Sequence, residues 1–208
     1  MPERHRKETV VFDGAKIDGR RVELQHEPDT GRVSEVRGFL SGPLEGPPEE
    51  AAFEFLDANR RLLKSSRSDI RELEIEKVTR SPAGYHVVFQ QTHQGVPVEE
   101  GKVSVHLTPD KRVHAAQIGL EPGVRDLDIE AMAADGIDAE EAIRIALSTV
   151  QGASESPAEA EQVVLVGDDE PTLAWKVSFS VEQPAGDQLV WVDARTGRIV
   201  QRRDVTFD

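Results

Sequence analysis

The stretch GYHVVFQQTHQGVPVEEGKVSVHL, residues 84–107, contains two β-type runs on either side of a short irregular centre. In the first run, residues alternate with a period of two, as in a pleated strand, so one strand face is predicted to carry Val87, Phe89 and Gln91. Gly95 and Pro97 interrupt this period, and proline lacks the N–H that a sheet ladder needs. The centre is therefore predicted at a sheet edge or in a connection. Gly101 permits backbone geometries closed to other residues, and the alternation then resumes.

The same stretch resembles a known motif. Residues 90–98, followed by Gly101 and the alternating run 103–107, are similar to the FTP motif in propeptides of thermolysin-like and fungalysin-like metalloproteases. The residues that carry this resemblance are Gln91, Thr92, Gly95, Val96, Pro97 and Gly101.

A second resemblance lies near the C-terminus. Residues 173–179 and 189–200 resemble a PepSY domain, whose ending V-D-A-x-T-G-x-(I/V) is matched here by Asp193, Thr196 and Gly197. These residue types suit a tight turn, because Asp hydrogen-bonds forward along the chain and Gly adopts positive φ without steric cost. FTP followed by PepSY is the order of a protease propeptide, and together the two resemblances cover residues 47–208.

The predicted fold class is α+β, with two sequential units of one helix and antiparallel strands after an N-terminal β-rich segment. The predicted helices are residues 49–63, entered through Pro47 and Pro48, and residues 138–149, capped by Asp138 with Glu141 as its capping-box partner. In the strand that follows the first helix, Leu73 and Ile75 are predicted to face the core. The predicted divisions are residues 1–46 for the N-terminal segment, 47–124 for the FTP-like domain and 125–208 for the PepSY-like domain.

The composition limits the partners and the compartment. The chain has 25 Lys and Arg against 39 Asp and Glu, a formal net charge of −14, so nucleic acid and anionic membranes should repel it. The absence of cysteine excludes disulfides and thiolate metal sites. The first residues are charged and are followed by too few apolar residues for a secretory signal, and no run reaches membrane-spanning length. The resemblance implies a secreted protein, so we expect a trimmed chain or a non-secreted relative.

No enzymatic site is predicted. The active partner of such propeptides carries zinc on an H-E-x-x-H helix, but here His26-Glu27 is followed by Pro28 and by no second histidine at that spacing. His106 and His114 would face each other across a hairpin, which we interpret as a solvated strand face with too few ligands for a metal. We therefore expect no hydrolytic activity, no cofactor and no tightly held metal. His86 and His93 are given no role.

Two further groups have alternative interpretations. Glu99 and Glu100 are predicted to form an exposed, charged edge that discourages strand pairing, rather than an acid–base pair. The second group is an apolar strand face to which the next strand adds two residues. We interpret it as core or, alternatively, as a ligand-binding aromatic wall. Its residues are Trp175, Val177, Phe179 and Val181, with Leu189 and Trp191.

The resemblance implies a propeptide that assists folding of a zinc metalloprotease catalytic domain, in cis or in trans, and holds it inactive. Residues 198–205 lack a strongly apolar face, which predicts a strand that pairs with its own sheet at its start, then leaves it and pairs with the partner at its end. The predicted partner-binding residues are Arg202, Arg203, Val205 and Phe207. Two alternatives stay open: residues 199–205 as a simple closing strand, and a free-standing secreted or envelope binding module without a protease.

Overall fold

The computed structural model describes residues 9–10, 16–17, 20–27, 31–63, 65–150, 157–167, 170–182 and 185–205. The chain forms two compact units, one of Met1–Thr92 and Glu100–Pro122 and one of His93–Glu99 and Gly123–Asp208. Both contain helices and strands, so the prediction of a mixed, strand-rich fold is confirmed. The units are not sequential as predicted, because the tip of the FTP hairpin belongs to the second unit. The predicted division into three segments stays a prediction.

The first unit is built on antiparallel strands. The strands are β1 (Thr9–Val10), β2 (Lys16–Ile17), β3 (Arg20–Arg21), β4 (Glu23–His26), β5 (Val33–Arg37), β6 (Leu73–Ser81), β7 (Gly84–His93), β8 (Val96–Leu107) and β9 (Val113–Ile118). The pairs are β1–β4, β4–β5, β5–β9, β9–β8, β8–β7 and β7–β6, with β2 and β3 forming a separate ribbon. The last residue of β7 and residues 96–99 of β8 belong to the second unit.

Two helices accompany these strands. Helix α1 (Pro48–Asn59) begins one residue before the predicted start at residue 49 and ends before the predicted residue 63, although Leu63 stays buried. Its apolar side packs with the odd-numbered residues of β7 in one core cluster, through Ala52, Phe55, Leu56, Val87 and Phe89. Helix α2 (Arg67–Arg71) was not predicted. Its sequence signal is the Ser66–Asp69 capping box, in which each side chain bonds the other residue's backbone N–H.

Strand β6 is less buried than the alternating pattern predicts. Leu73 lies in the core, but Ile75 is 56% exposed, so the prediction that it faces the core is wrong. The register between β6 and β7 shifts between Ile75 and Lys77, and within the described residues β6 pairs with β7 alone. The bulge interrupts the alternation of faces along this strand, so periodicity overestimated the burial of Ile75.

The second unit joins the start of β8 to four strands and two helices, α3 (Ile129–Ala134) and α4 (Ala139–Leu147). The strands are β10 (Glu159–Leu165), β11 (Thr172–Glu182), β12 (Ala185–Asp193) and β13 (Ile199–Val205), paired antiparallel in that order. Val164 of β10 also pairs in parallel with Val98. Helix α4 is capped by Asp138 as predicted, because its carboxylate accepts the Glu141 N–H at 2.8 Å. The predicted return bond from Glu141 is not made, and the Glu141 side chain accepts from Arg144 at 2.9 Å instead.

The sheet of the second unit buries both faces. Val177, Phe179 and Val181 lie on the face that packs against Ala142 and Ala146 of α4, with Trp175 beside them. Leu189 and Trp191 lie on the opposite face, with Val163, Leu165 and Ala174. Residues paired directly across two strands share a face, and Trp191 is paired with Lys176, whereas Phe179 is on the other face of β11. The prediction of one shared apolar face is therefore wrong.

Candidate functional site

The FTP hairpin turns at Gln94 and Gly95. Both residues have positive φ, 50° and 82°, which is the requirement of the type I′ turn that suits a two-residue hairpin. The irregular centre predicted from sequence is therefore confined to these two residues. Val96 and Pro97 are the first residues of β8, so Pro97 lies where a strand tolerates a missing N–H. Gly101, for which the sequence predicted a backbone geometry closed to other residues, has no positive φ; the preceding Glu100 has a φ of 62° instead.

Gly95 should not tolerate a β-branched residue. A Cβ at this position would meet nothing within 4 Å, so the cost comes from the backbone conformation alone. We expect Gly95→Val to lower the free energy of unfolding by about 1–3 kcal/mol, as measured by chemical denaturation. Gly95→Asn is the control, because asparagine accepts positive φ and should cost less. Equal stability of Gly95→Val and the wild type would contradict this interpretation of the turn.

The polar residues of the motif bond to the protein's own backbone. The Gln91 side chain, 1% exposed, donates to the Glu121 carbonyl at 2.9 Å and accepts the Glu121 N–H at 2.8 Å. The Thr92 hydroxyl donates to the Glu72 carbonyl at 2.9 Å, beside the main-chain bond from the Thr92 N–H to the same oxygen. Gln91 and Thr92 therefore hold chain segments that are distant in sequence.

His93 and Gln94 also bond to backbone groups, within the second unit. A ring nitrogen of His93 lies 2.9 Å from the Leu127 carbonyl, and the Gln94 amide donates to the same oxygen at 2.9 Å. The Gln94 side-chain oxygen accepts the Ile129 N–H at 3.2 Å, at the first residue of α3. Sequence reasoning gave His93 and Gln94 no role. Their only sequence signal was their place in the polar run of the motif.

Glu99 is not the exposed edge residue that was predicted. Its side chain is 14% exposed and forms an ion pair with Lys176 at 3.1 Å, while Lys176 also approaches Glu161 at 3.7 Å. Glu100, the next residue, is exposed. The prediction of an exposed edge is therefore wrong for Glu99, because the pairing of Val98 with β10 places this part of β8 inside the second unit.

The PepSY turn is organised by one carboxylate. Asp193 accepts the backbone N–H groups of Arg195 and Thr196 at 3.1 and 2.6 Å and the Thr196 hydroxyl at 2.7 Å. The Thr172 hydroxyl donates to its other oxygen at 3.1 Å. Gly197 has a φ of 70°, as the predicted tight turn requires. Burial raises the pKa of Asp193, but the hydrogen bonds from Thr196, Thr172 and Arg195 outweigh it and hold that pKa below its ordinary value.

The Asp193 turn should make the free energy of unfolding depend on pH in the acid range. A carboxyl whose folded-state pKa is lowered stabilises the fold above its unfolded pKa, and this contribution is lost as pH falls through the folded-state pKa. We expect Asp193→Asn to cost about 1–2 kcal/mol near neutral pH. The difference from wild type should shrink as pH falls from about 5 to about 2, as followed by urea denaturation. Asp204→Asn, at a 68% exposed carboxylate, is the control; a constant difference across this range would contradict the prediction.

Strand β13 does not leave the sheet within the described residues. Its residues pair with β12 as far as Val205 opposite Asp187, so the prediction that the end of this strand leaves the sheet is wrong as far as residue 205, and the alternative of a closing strand fits the pairing. Arg202 bonds the Gln188 side chain at 3.1 Å and the Thr149 carbonyl at 3.3 Å. The Arg203 guanidinium lies 5.4 Å from the centre of the Trp191 ring. Phe207 lies outside the described residues.

The histidine pair predicted at a hairpin is only loosely paired. The ring centres of His106 and His114 are 6.0 Å apart, whereas His86, which sequence reasoning gave no role, lies closer to His106. Among the residues that the structure describes, no three His, Asp or Glu side chains are grouped as a metal-binding set. Nor does the described part of the chain contain a helix long and apolar enough to span a membrane.

Comparison with protein families finds a match for each of the two motifs. Residues 71–117 match the family described as the Fungalysin/Thermolysin Propeptide Motif, which is FTP. Residues 136–202 match the family described as the Peptidase propeptide and YPEB domain, which is PepSY. These two stretches of the chain are therefore propeptide-type domains. The chain carries an FTP motif followed by a PepSY domain, as the sequence predicted.

Individual relatives are distant. No curated protein matches the chain. The C-terminal domain of YpeB from Bacillus megaterium is similar in structure with a TM-score of 0.45 and 12% identity, over 91% of this chain and 79% of that one. The YpmB protein from Bacillus subtilis has a TM-score of 0.26 and 17% identity, over 77% of this chain and 99% of that one.

Proposed function

We propose that this chain is the non-catalytic propeptide or regulatory part of a zinc metalloprotease. In this role it assists the folding of the catalytic domain and holds it inactive, in cis within a precursor or in trans. The observation that carries the proposal is the succession of an FTP motif and a PepSY domain in one chain. A propeptide of a secreted protease acts outside the cytoplasm, so we place the protein in the medium or at the cell envelope.

The contact proposed for inhibition is the outer edge of β13. Among the described strands, β13 pairs with β12 alone, so its other side offers main-chain groups to a further strand. Ile199 and Val200 are each 39% exposed there. Arg202 and Arg203 place positive charge on this strand in a protein of net charge −14, which complements a carboxylate-lined cleft. Val205 ends the described part of this strand, and Phe207 stays a predicted partner-binding residue.

Inhibition of a thermolysin-like enzyme in trans tests this function. We expect the full chain to inhibit peptide hydrolysis and Arg203→Glu to raise the inhibition constant roughly tenfold or more. Arg198→Glu, at the turn before β13, is the matched control and should change it by less than about threefold. Thermal melting of each variant checks the fold, since Arg203 lies over Trp191. Equal inhibition by the two variants would move the contact away from β13, and no inhibition by the wild type would refute the inhibitory role.

Folding assistance has its own measurement. A denatured catalytic domain is diluted into buffer with or without the chain, and peptidase activity is measured after removal of the chain. The proposal expects a higher yield of active enzyme with the chain present. Arg203→Glu should reduce this yield as well, because both activities use the same contact. An unchanged yield with the wild-type chain would refute the folding role.

A free-standing binding or regulatory module is the second candidate. The family description of residues 136–202 names the YPEB domain beside the peptidase propeptide, so a PepSY domain is not restricted to proteases. This candidate expects neither inhibition nor improved refolding with metalloprotease catalytic domains. Those two measurements therefore separate the candidates.

A further inference from the structure

Three histidines lie on the face of the first unit's strands that is turned away from its core. They are His86 in β7, His106 in β8 and His114 in β9. The neighbours of the first two, Val87, Val105 and Leu107, are buried in the core cluster, so alternation places both imidazoles on the opposite face. The register skips His114 between Val113 and Ala115, which turns its side chain to the same face.

His86 and His106 point the same ring nitrogen at each other. Their Nδ1 atoms are 3.2 Å apart, with ring centres separated by 4.4 Å and ring planes inclined by 49°. Zn–N bonds of about 2.0–2.1 Å in a tetrahedral shell place two ligand nitrogens about 3.3 Å apart. The observed separation therefore fits two imidazoles bound to one metal ion. It also fits a pair that shares one proton when no metal is present.

The titratable and charged groups that face His106, besides His86 and His114, are Glu35 and Arg37. Glu35 and Arg37 come from β5, the strand beyond β9, and they form an ion pair at 2.7 Å. Both His86 and His106 are half-buried, so solvent still reaches the pair and can complete a coordination shell.

We propose that His86 and His106 form a site for a divalent transition metal, such as Zn²⁺ or Ni²⁺, bound through the two Nδ1 atoms. Imidazole nitrogen is a preferred ligand of these ions, and water supplies the remaining positions. Only two protein ligands hold the metal, so it exchanges with solvent and does not survive dialysis as a structural zinc does. The site lies outside the polar run of the FTP motif.

Isothermal titration with ZnCl₂ and with NiCl₂ in a non-chelating buffer near pH 7.5 tests the site on the full chain. We expect one equivalent of binding in the wild type. His86→Asn and His106→Asn should each weaken it roughly tenfold or more. His114→Asn is the matched control from the same cluster and should change the affinity by less than about threefold, because its ring is 6.0 Å from that of His106.

Two further measurements guard the interpretation. Circular dichroism melting shows whether each variant is folded, and His86→Asn alone suffices for the test if His106→Asn does not fold. Binding should weaken as pH falls from about 7.5 to about 5.5, because protons compete for the same nitrogens. No binding by the wild type, or equal binding by the wild type and a folded His86→Asn variant, would overturn the proposal.

Discussion

Gly84→Ala should be among the most destabilising single substitutions in the first unit. Gly84 opens β7 with a φ of 135°, a conformation that residues with a side chain rarely adopt. An added Cβ would lie 1.9 Å from the carbonyl oxygen of Leu107 and 2.9 Å from the carbonyl carbon of Thr108. Both neighbours are main-chain atoms, so no side chain can move aside. We expect a loss of about 2–5 kcal/mol in the free energy of unfolding, from backbone strain and overpacking together.

Chemical denaturation of Gly84→Ala and of a matched glycine variant measures this effect. Gly42→Ala is the control, since a Cβ there meets nothing within 4 Å. It should change stability by no more than about 0.5 kcal/mol. If the two variants were equally stable, β7 would not approach the end of β8 as closely as the structure shows.

Gln91→Leu should destabilise the first unit by about 2–3 kcal/mol. The leucine keeps the volume of the side chain but removes both bonds to Glu121, which leaves that residue's N–H and carbonyl without their amide partner. Gln91 itself is almost fully buried, so water cannot take its place at the side-chain end. The expected result is a lower denaturation midpoint with an unchanged denaturant slope.

Gln117→Leu is the control for Gln91→Leu, because Gln117 is exposed on β9. We expect it to change stability by less than about 0.5 kcal/mol.

Gln91→Leu also tests whether Gln91 acts through the fold or in the partner contact. If the motif acts through the fold, Gln91→Leu should weaken inhibition only in proportion to the unfolded fraction. A fully folded Gln91→Leu variant that fails to inhibit would place Gln91 in the partner contact instead.

Local features were predictable because they depend on residues a few positions apart. Asp138 caps α4 three residues before the N–H that it accepts, and the turn at Asp193 closes within five residues. The strand β11 shows its period of two directly in the sequence. The capping box of α2 is also visible in the sequence, but a helix of five residues is too short to show the helical period.

Strand faces and site geometry were less predictable. Leu189 and Trp191 belong to the face opposite that of Phe179, since register decides the face and a shift of one residue reverses it. Glu99 is half of a shielded ion pair because its strand joins the second unit, which no local pattern announces.

The sequence by itself determined the two motifs, their order, the turn residues and helix α4. Only the tertiary structure decided what the motif side chains touch. Gln91 meets Glu121, His86 meets His106, and Gly84 meets Leu107. These partners are twenty or more residues apart along the chain. Their contact follows from strand register and chain path, which arise from packing of the whole unit and leave no mark in the spacing of nearby residues.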